Sequence, residues 1–498
     1  MKKAEAYAPQ LECLECGTKY DVQYMISCPK CGGLLSVIYP YDYIAEKLNA
    51  KALATRVPGV WKYRELLPAP KSEDIVSLGE GGTFLHNCPR LAKEIGIKKL
   101  YIKDETTNPT GSFLDRGSTV LITKALELGF KEIYCVAKGN LGASLSAYAA
   151  KAGMNCSILA PKEIDLGKLY QIIAYNANVK LVESFDKTLR EVEKSREKTY
   201  FVTMTDPFFL EGEKTTAIEI TEQLGWRLPD RMFIPVGTGG HISQAWKAIK
   251  ELSRVGILKN KSVKMCGVQV EGFTPIVEAI RKGRELMKPI QHVHAAILEI
   301  SLENPPYGSM ALKAIRESGG TAIDVSNQEI LDAIRLLASN EGIFAEPAAA
   351  STIAGLRKLI ETGEVDKNEE VVCVITGEGL KDPITARKFV KRISEIEKTI
   401  KQTEKRQLMI RIGETKEHIL QILSEKEQHG YGVWKLLKEK FGYETKIPSV
   451  YQHLIELSQL GLIEKTVSKS ISGRPKRNYY CLTPKGRELQ KTLEKLKI

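Results

Sequence analysis

The chain has 498 residues, 73 of them Lys or Arg against 61 Asp or Glu, with a formal net charge of +12 and 43% hydrophobic content. That length suits about three domains with buried cores. No apolar run approaches the ~20 residues needed to cross a bilayer, and MKKAEAYAPQLEC at the start lacks the apolar stretch of a secretory signal, so a cytoplasmic protein without membrane contact is expected.

The charge is unevenly placed. Residues 401–498 hold 20 basic and 11 acidic residues, net +9, which leaves only +3 for residues 1–400. A basic C-terminal block of this size points to an anionic partner, with nucleic acid the leading candidate. Of ten cysteines, six are scattered singly in mostly apolar contexts, which suits a reducing compartment without disulfides.

The other four, Cys13, Cys16, Cys28 and Cys31, form two Cys-x-x-Cys knuckles, CLECG and CPKCG, eleven residues apart. Glycine after each pair permits the tight turn that aims two thiolates at one ion, and four sulfurs make a closed, structural zinc site. A zinc ribbon over residues 1–45 is expected.

Through residues 46–390 short apolar runs recur: KLYIKDE, EIYCVAKG, NCSILAP, VKLVES, RMFIPVGTGG, VKMCGVQVEG and VVCVITGEG. Helical-period stretches such as ASLSAYAAKAG and EILDAIRLLASNEG lie between them. Alternation of this kind predicts an α/β fold with parallel sheets, covered by helices, and ligands at the carboxyl ends of the strands. The turn Gly237, Thr238, Gly239, Gly240, His241 follows one such strand and precedes a helix, so its backbone amides and the helix dipole could hold an anion.

These segments carry a family resemblance. KDETTNPTGSF at 103–113, GNLGASLSAYAAKAG at 139–153, LGKL at 166–169, LEGEKT at 210–215, PVGTGGHI at 235–242, EGIFAEPAAA at 341–350 and TGEGLKDP at 376–383 run in the order seen in threonine synthase and related fold type II pyridoxal-phosphate enzymes. The resemblance implies two α/β domains with the cofactor in the cleft between them, and a zinc ribbon packed on the main domain. It makes Gly237–His241 the phosphate cradle, Asn140 the partner of the ring hydroxyl, and Thr376 the hydroxyl facing the pyridine nitrogen. Lys168 and Lys214 match positions near the substrate phosphate or at the closure of the cleft, with surface helix lysines as the plain reading.

Three positions depart from the family pattern. Leu114, in NPTGSFLDRG, stands where the family carries the lysine that forms the Schiff base and moves protons on the substrate. Lys138 stands where serine or threonine helps hold the substrate carboxylate; it reads as a relocated Schiff-base lysine, a partner for a ligand carboxylate or phosphate, or a solvated loop residue. Phe84 replaces the proline of GGTPL, which fixes the chain beside the site. Leucine supplies neither a covalent anchor nor a base, and general acid–base participation alone is worth ~10²- to 10⁴-fold.

Residues 391–410 read as a charged helical linker. Beyond it, at 411–498, three helical patterns, a strand pair around ISGRPK and a last helix resemble a winged helix-turn-helix of the PadR-like regulators, carried by HGYGVWKLL, SVYQHLIELSQLGLIE and GRPKRNYYCLTPKGREL. The resemblance implies that the helix opened by Pro448 enters a DNA groove with Ser449, Tyr451, Gln452 and His453 near its start, and that Arg474, Lys476 and Arg477 on the wing meet phosphates. Tyr451 and Tyr479 read equally as core, and the last helix as a homodimer element.

The combined reading is a regulator of transcription whose degenerate core senses non-covalent pyridoxal phosphate, an amino acid or a phosphorylated precursor, and whose tail binds double-stranded DNA. Two alternatives stay open: an active lyase using Lys138 or another lysine, with the tail as a regulatory module, and a non-catalytic scaffold that binds protein at both ends.

Overall fold

The computed structural model describes residues 8–70, 74–137, 139–162, 164–182, 199–259, 262–290, 300–383, 385, 413–466 and 478–494. The chain forms two compact units, Met1–Arg387 and Lys388–Ile498. Lys138, the proposed linker and the wing residues Arg474, Lys476 and Arg477 lie outside the described residues.

The first unit begins with an antiparallel sheet of β1 (Gln10–Cys13), β2 (Lys19–Asp21) and β3 (Leu35–Ile38), in the order β2-β1-β3. Gly17 and Gly32, which follow the two knuckles, adopt φ of 68° and 76°, the left-handed conformation glycine takes without steric cost. The sheet is fastened to the rest of the unit: Lys247 Nζ donates to Val37 O at 2.6 Å, and the Tyr39 hydroxyl donates to Glu211 at 2.6 Å.

Two further sheets form the body. One has six strands in the order β12-β11-β10-β13-β5-β4: β4 (Leu85–Asn87), β5 (Lys99–Asp104), β10 (Arg231–Pro235), β11 (Lys264–Val270), β12 (Thr321–Val325) and β13 (Glu370–Ile375). All pairs are parallel except β4 with β5. The other is fully parallel, β8-β7-β6-β9, from β6 (Glu132–Val136), β7 (Asn155–Pro161), β8 (Asn178–Val182) and β9 (Thr199–Val202). Every residue of β10 and of β13 is buried, as expected for strands covered on both faces, whose sequence reads as an unbroken apolar run. The seven apolar runs of the central region each contain a strand; β4, β9 and β12 were not among them.

Nine helices matter for the site: α1 (Asp115–Glu127), α2 (Asn140–Ala152), α3 (Leu166–Ala174), α4 (Pro207–Glu213), α5 (Thr215–Gln223), α6 (Gly240–Arg254), α7 (Gly308–Glu317), α8 (Asn327–Glu341) and α9 (Pro347–Glu361). α8 opens with a complete capping box between Ser326 and Glu329, which satisfies two backbone donors reciprocally. Among the described residues no helix is long and apolar enough to cross a membrane.

The second unit contains a helical stretch at 413–425, α10 (Gly430–Phe441), α11 (Ile447–Gln459), an antiparallel sheet β14-β16-β15 and α12 (Pro484–Glu494). The strands are β14 (Gln428–His429), β15 (Ile463–Thr466) and β16 (Tyr479–Leu482). Its core joins Ile419, Leu423, Val433, Leu437, Leu454, Leu457, Tyr480 and Leu482, so helices and sheet share one apolar centre.

Candidate functional site

Four chain segments that follow the carboxyl ends of parallel strands form the site: Glu105–Leu114 after β5, Gly139–Asn140 after β6, Gly237–His241 after β10 and Thr376–Glu378 after β13. Placement there is what a parallel α/β sheet offers, because helix N-termini and loops gather at that edge.

Glu105–Leu114 is clamped to the segment after β13. Phe113 N donates to Thr376 O at 3.0 Å, Glu378 N donates to Gly111 O at 3.0 Å, and Ser112 bridges Gly377. Leu114 caps α1 in a helical conformation, half-buried, with its side chain against the core. From below, the loop is fixed by a buried charge network. Arg116 donates to Glu105 at 2.6 and 2.8 Å and to Glu219 at 2.8 Å through two nitrogens, while Lys103 Nζ donates to Glu219 at 2.8 Å. Asn108 ties the loop to Glu105 at 2.7 Å. Burial alone would raise the Glu105 and Glu219 carboxyls; Arg116 and Lys103 outweigh it and hold both below the usual range.

Beside Gly377, Asn140 Nδ2 donates to Glu346 Oε2 at 2.6 Å, and Lys168 Nζ sits 2.9 Å from Glu346 Oε1. Asn140 Oδ1 is buried without a partner among the described residues. A Cβ on Gly377 would lie 2.1 Å from Glu346 Oε2, so any side chain there would displace the Glu346 carboxylate from Asn140. Lys381, 5% exposed, donates to Thr110 O, and its ammonium is held below the usual lysine range by burial against the opposing pull of Glu346 and Asp115.

At the glycine turn, Gly239 has φ of 90°, and a Cβ on it would lie 2.7 Å from Tyr307 O, so both conformation and close approach call for glycine. Tyr307 N donates to Thr238 O at 2.9 Å, and Gly240 N donates to the Thr238 hydroxyl at 3.2 Å. The His241 ring stacks on Phe113 with centroids 4.2 Å apart, and its Nε2 lies 3.2 Å from the Thr216 hydroxyl. Burial lowers its pKa to about 3, so the imidazole is neutral.

The structure thus brings Asn140 and Lys168 together on Glu346 beside the segment after Thr376, which in turn is clamped to the Leu114 segment and, through Phe113 and His241, to the glycine turn. It does not bring Lys214 there. That ammonium is fully buried between Glu211 and Glu251, 2.7 Å from the latter, and lies over the Tyr39 ring. Phe84 is exposed at the start of β4, its carbonyl accepting from Asp104 N at 3.0 Å. Sequence reasoning missed Glu346, Lys381 and Glu213. The usable signal was an acid or a lysine set among small and apolar residues, as in IFAEPAAA.

Near the N-terminus, the sulfurs of Cys13, Cys16, Cys28 and Cys31 lie within 4.8 Å of one another, close enough to share one ion. In the second unit, Ser449, Tyr451 and Gln452 are exposed along the start of α11 and His453 is half-buried, while Val450, Leu454 and Leu457 turn inward. Tyr451, at 41% exposure, is not core; Tyr479 is half-buried against His429.

Residues 76–377 match a model described as pyridoxal-phosphate dependent enzyme, and residues 419–492 match the transcriptional regulator PadR-like family. The chain is 47% identical over 378 residues to threonine synthase of Methanocaldococcus jannaschii, covering 75% of this chain and 93% of that protein. It is 46% identical over 380 residues to threonine synthase of Methanosarcina acetivorans, with 75% and 93% covered. In fold it is similar to maize serine racemase, with a TM-score of 0.53 at 18% identity over 63% of this chain and 93% of that one.

Proposed function

Because the chain belongs to the pyridoxal-phosphate dependent enzyme family and also carries a PadR-like domain, we propose that it is a cytoplasmic, ligand-sensing regulator of transcription whose core holds a ligand without turning it over. The carrying observation is Leu114: the loop that presents it is fully braced, yet the side chain it presents is a hydrocarbon. The residues fit pyridoxal phosphate. Asn140 leaves a buried carbonyl oxygen unpartnered, and the glycine turn opens α6, where backbone amides and the helix dipole favour an anion. Gly237–His241 would hold the phosphate, Asn140 the ring hydroxyl and Thr376 the pyridine nitrogen. When bound, the cofactor supplies an aldehyde for condensation with amines and a ring that stabilises negative charge at the adjacent carbon.

The chain's own contribution is then to bind and orient. Phe113 and the neutral His241 shield the turn from water, and Glu346 positions Asn140 and Lys168 together. Lys168 is the charged group placed to meet a ligand carboxylate or phosphate. Leu114 offers a hydrocarbon where an amine would attack a bound ligand, which suits holding the ligand rather than turning it over.

The tail supports DNA binding through the exposed start of α11 and a net charge of +9 over residues 401–498. α12 is the dimer element we assign, and the four N-terminal cysteines hold structural zinc.

A second reading, an active lyase using another lysine, is favoured by Lys168 beside Asn140 and by Lys381 at Thr110. Borohydride reduction with pyridoxal phosphate, followed by peptide mapping, separates the two. We expect bound cofactor that is washed out after reduction, and salt-dependent binding to the chain's own promoter that changes with the ligand. Attachment to Lys138, Lys168 or Lys381 would overturn the sensor reading in favour of the lyase.

A further inference from the structure

One buried acid beside the glycine turn lacks a partner for one of its oxygens. Glu213 ends α4, is 4% exposed, and its Oε2 has no hydrogen-bond partner among the described residues. That oxygen lies at the glycine turn: a Cβ built on Gly240, the first residue of α6, would be 2.7 Å from Leu210 Cδ2, 3.3 Å from the Glu213 oxygen and 3.5 Å from the Thr238 hydroxyl. An acid at an anion cradle is a contradiction if it is ionised, since a carboxylate and a phosphate repel at this range in a buried site. It is a gain if it is protonated, since a carboxylic acid donates a hydrogen bond to a phosphate oxygen.

We propose that Glu213 is kept as a neutral acid and donates to the ligand phosphate at the Gly237–His241 turn, so that the site discriminates phosphate-bearing ligands according to pH. The inference rests on the reading of that turn as a phosphate cradle.

The surroundings agree. Burial pushes the Glu213 pKa up to about 8. On its own helix, Glu211 is paired with Lys214 and Lys247, and Asp206 accepts from the Tyr200 hydroxyl and two backbone amides. From α5 and α6, Lys214 and Glu251 pair with each other, Glu219 is held by Arg116, and His241 is neutral. From α1, Arg116 is saturated by Glu105 and Glu219, and Asp115 accepts from Thr110 and Ser144. Tyr39, beside β3, donates to Glu211, and Tyr307, ahead of α7, stays a phenol because burial and the nearby Glu211 and Glu213 raise it. Glu211, Glu219 and Glu251 are each paired with a cation, and Asp206 and Asp115 with hydroxyl and amide donors, so none of them leaves a cation for Glu213.

The sign follows from linkage. A donor proton bound in the complex and released from the free site above about pH 8 makes affinity fall about tenfold per pH unit beyond that point. A ligand phosphate is already dianionic there, so its own titration does not produce the loss.

The test measures dissociation constants of the full chain for pyridoxal phosphate and for pyridoxal, which lacks the phosphate, from pH 7 to 9.5, with wild type and Glu213→Gln. We expect the wild-type constant for pyridoxal phosphate to rise steeply above pH 8, the pyridoxal constant to rise much less, and the Gln variant, whose amide donates at every pH, to lose the phosphate-specific slope. A wild-type slope matching that of Glu213→Gln would overturn the role of Glu213 while leaving the cradle standing. Equal affinity for pyridoxal phosphate and pyridoxal at pH 7 would remove the cradle and this inference together. As a check that needs no variant, titration calorimetry of wild type in two buffers of different ionisation enthalpy at pH 9 should show close to one proton taken up; no uptake refutes the proposal.

Discussion

Arg116→Met tests whether the network beneath Leu114 is a structural brace. Wild type buries two cations, Lys103 and Arg116, with two carboxylates, Glu105 and Glu219, all at 3% exposure or less. The substitution keeps most of the volume but leaves two carboxylates to one ammonium, and removes the donors that the hydroxyls of Thr83 and Thr215 accept from at 3.0 and 3.1 Å. Removing one partner from such a group costs ~3–5 kcal/mol, much of it the desolvation of the charge left behind. The pH dependence carries a sign. Both carboxyls are held below their usual range in the folded chain, so their contribution is present above the unfolded-state value of about 4.3 and is lost as pH falls through the lower folded value. The deficit of the variant should therefore be largest at high pH and shrink as pH falls, first as the orphaned carboxyl, raised by burial, takes up a proton above the usual carboxylate range, and then below about 4 as the wild type loses its own advantage. Urea unfolding followed by tryptophan fluorescence reads the first unit mainly, since Trp61, Trp226 and Trp246 belong to it and Trp434 to the other. A loss under ~1 kcal/mol at pH 7, or a loss of equal size at pH 4, would refute the reasoning. The variant should also bind pyridoxal phosphate more weakly, because Arg116 anchors the loop from Glu105 onward.

Leu114→Lys should convert a binder into an enzyme-like site: reduction with borohydride would then fix pyridoxal phosphate to residue 114, and any lyase activity should rise ~10²-fold or more. Failure of the cofactor to attach there would mean the cleft is not shaped for it. The purified chain should hold one zinc per molecule, and Cys28→Ala should abolish it and loosen the N-terminal sheet, seen as proteolysis ahead of residue 39; retained zinc in that variant would exclude the four-cysteine site. Gln452→Ala and Tyr451→Ala should weaken promoter binding by ~1–3 kcal/mol if they reach base edges, whereas Arg474→Ala should lower the salt slope by about one; equal losses on unrelated DNA would place all three on phosphates.

Much of the fold was legible because parallel strands buried on both faces are written as apolar runs, and RMFIPV and VVCVI could hardly be anything else. What failed were strands whose sequence is not of that kind: LHN is a three-residue edge, TAIDV carries a half-buried Asp324, and TYFV reads as well as part of a loop. The site divided in the same way. Asn140, Thr376 and the glycine turn could be placed beyond strand ends because each follows an apolar run. Lys214 could not, since Glu211 three residues back was visible but Glu251, which completes the buried pair, is 37 residues away. Glu213 is the sharpest case. In the sequence it is one acid among others in LEGEKT, flanked by Glu211 and Lys214 and indistinguishable from a solvated ion pair. Its chemistry arises only when α4 packs against the first turn of α6 and takes it out of water without supplying a cation, so that burial, which no local string records, decides whether this group repels an anion or holds one.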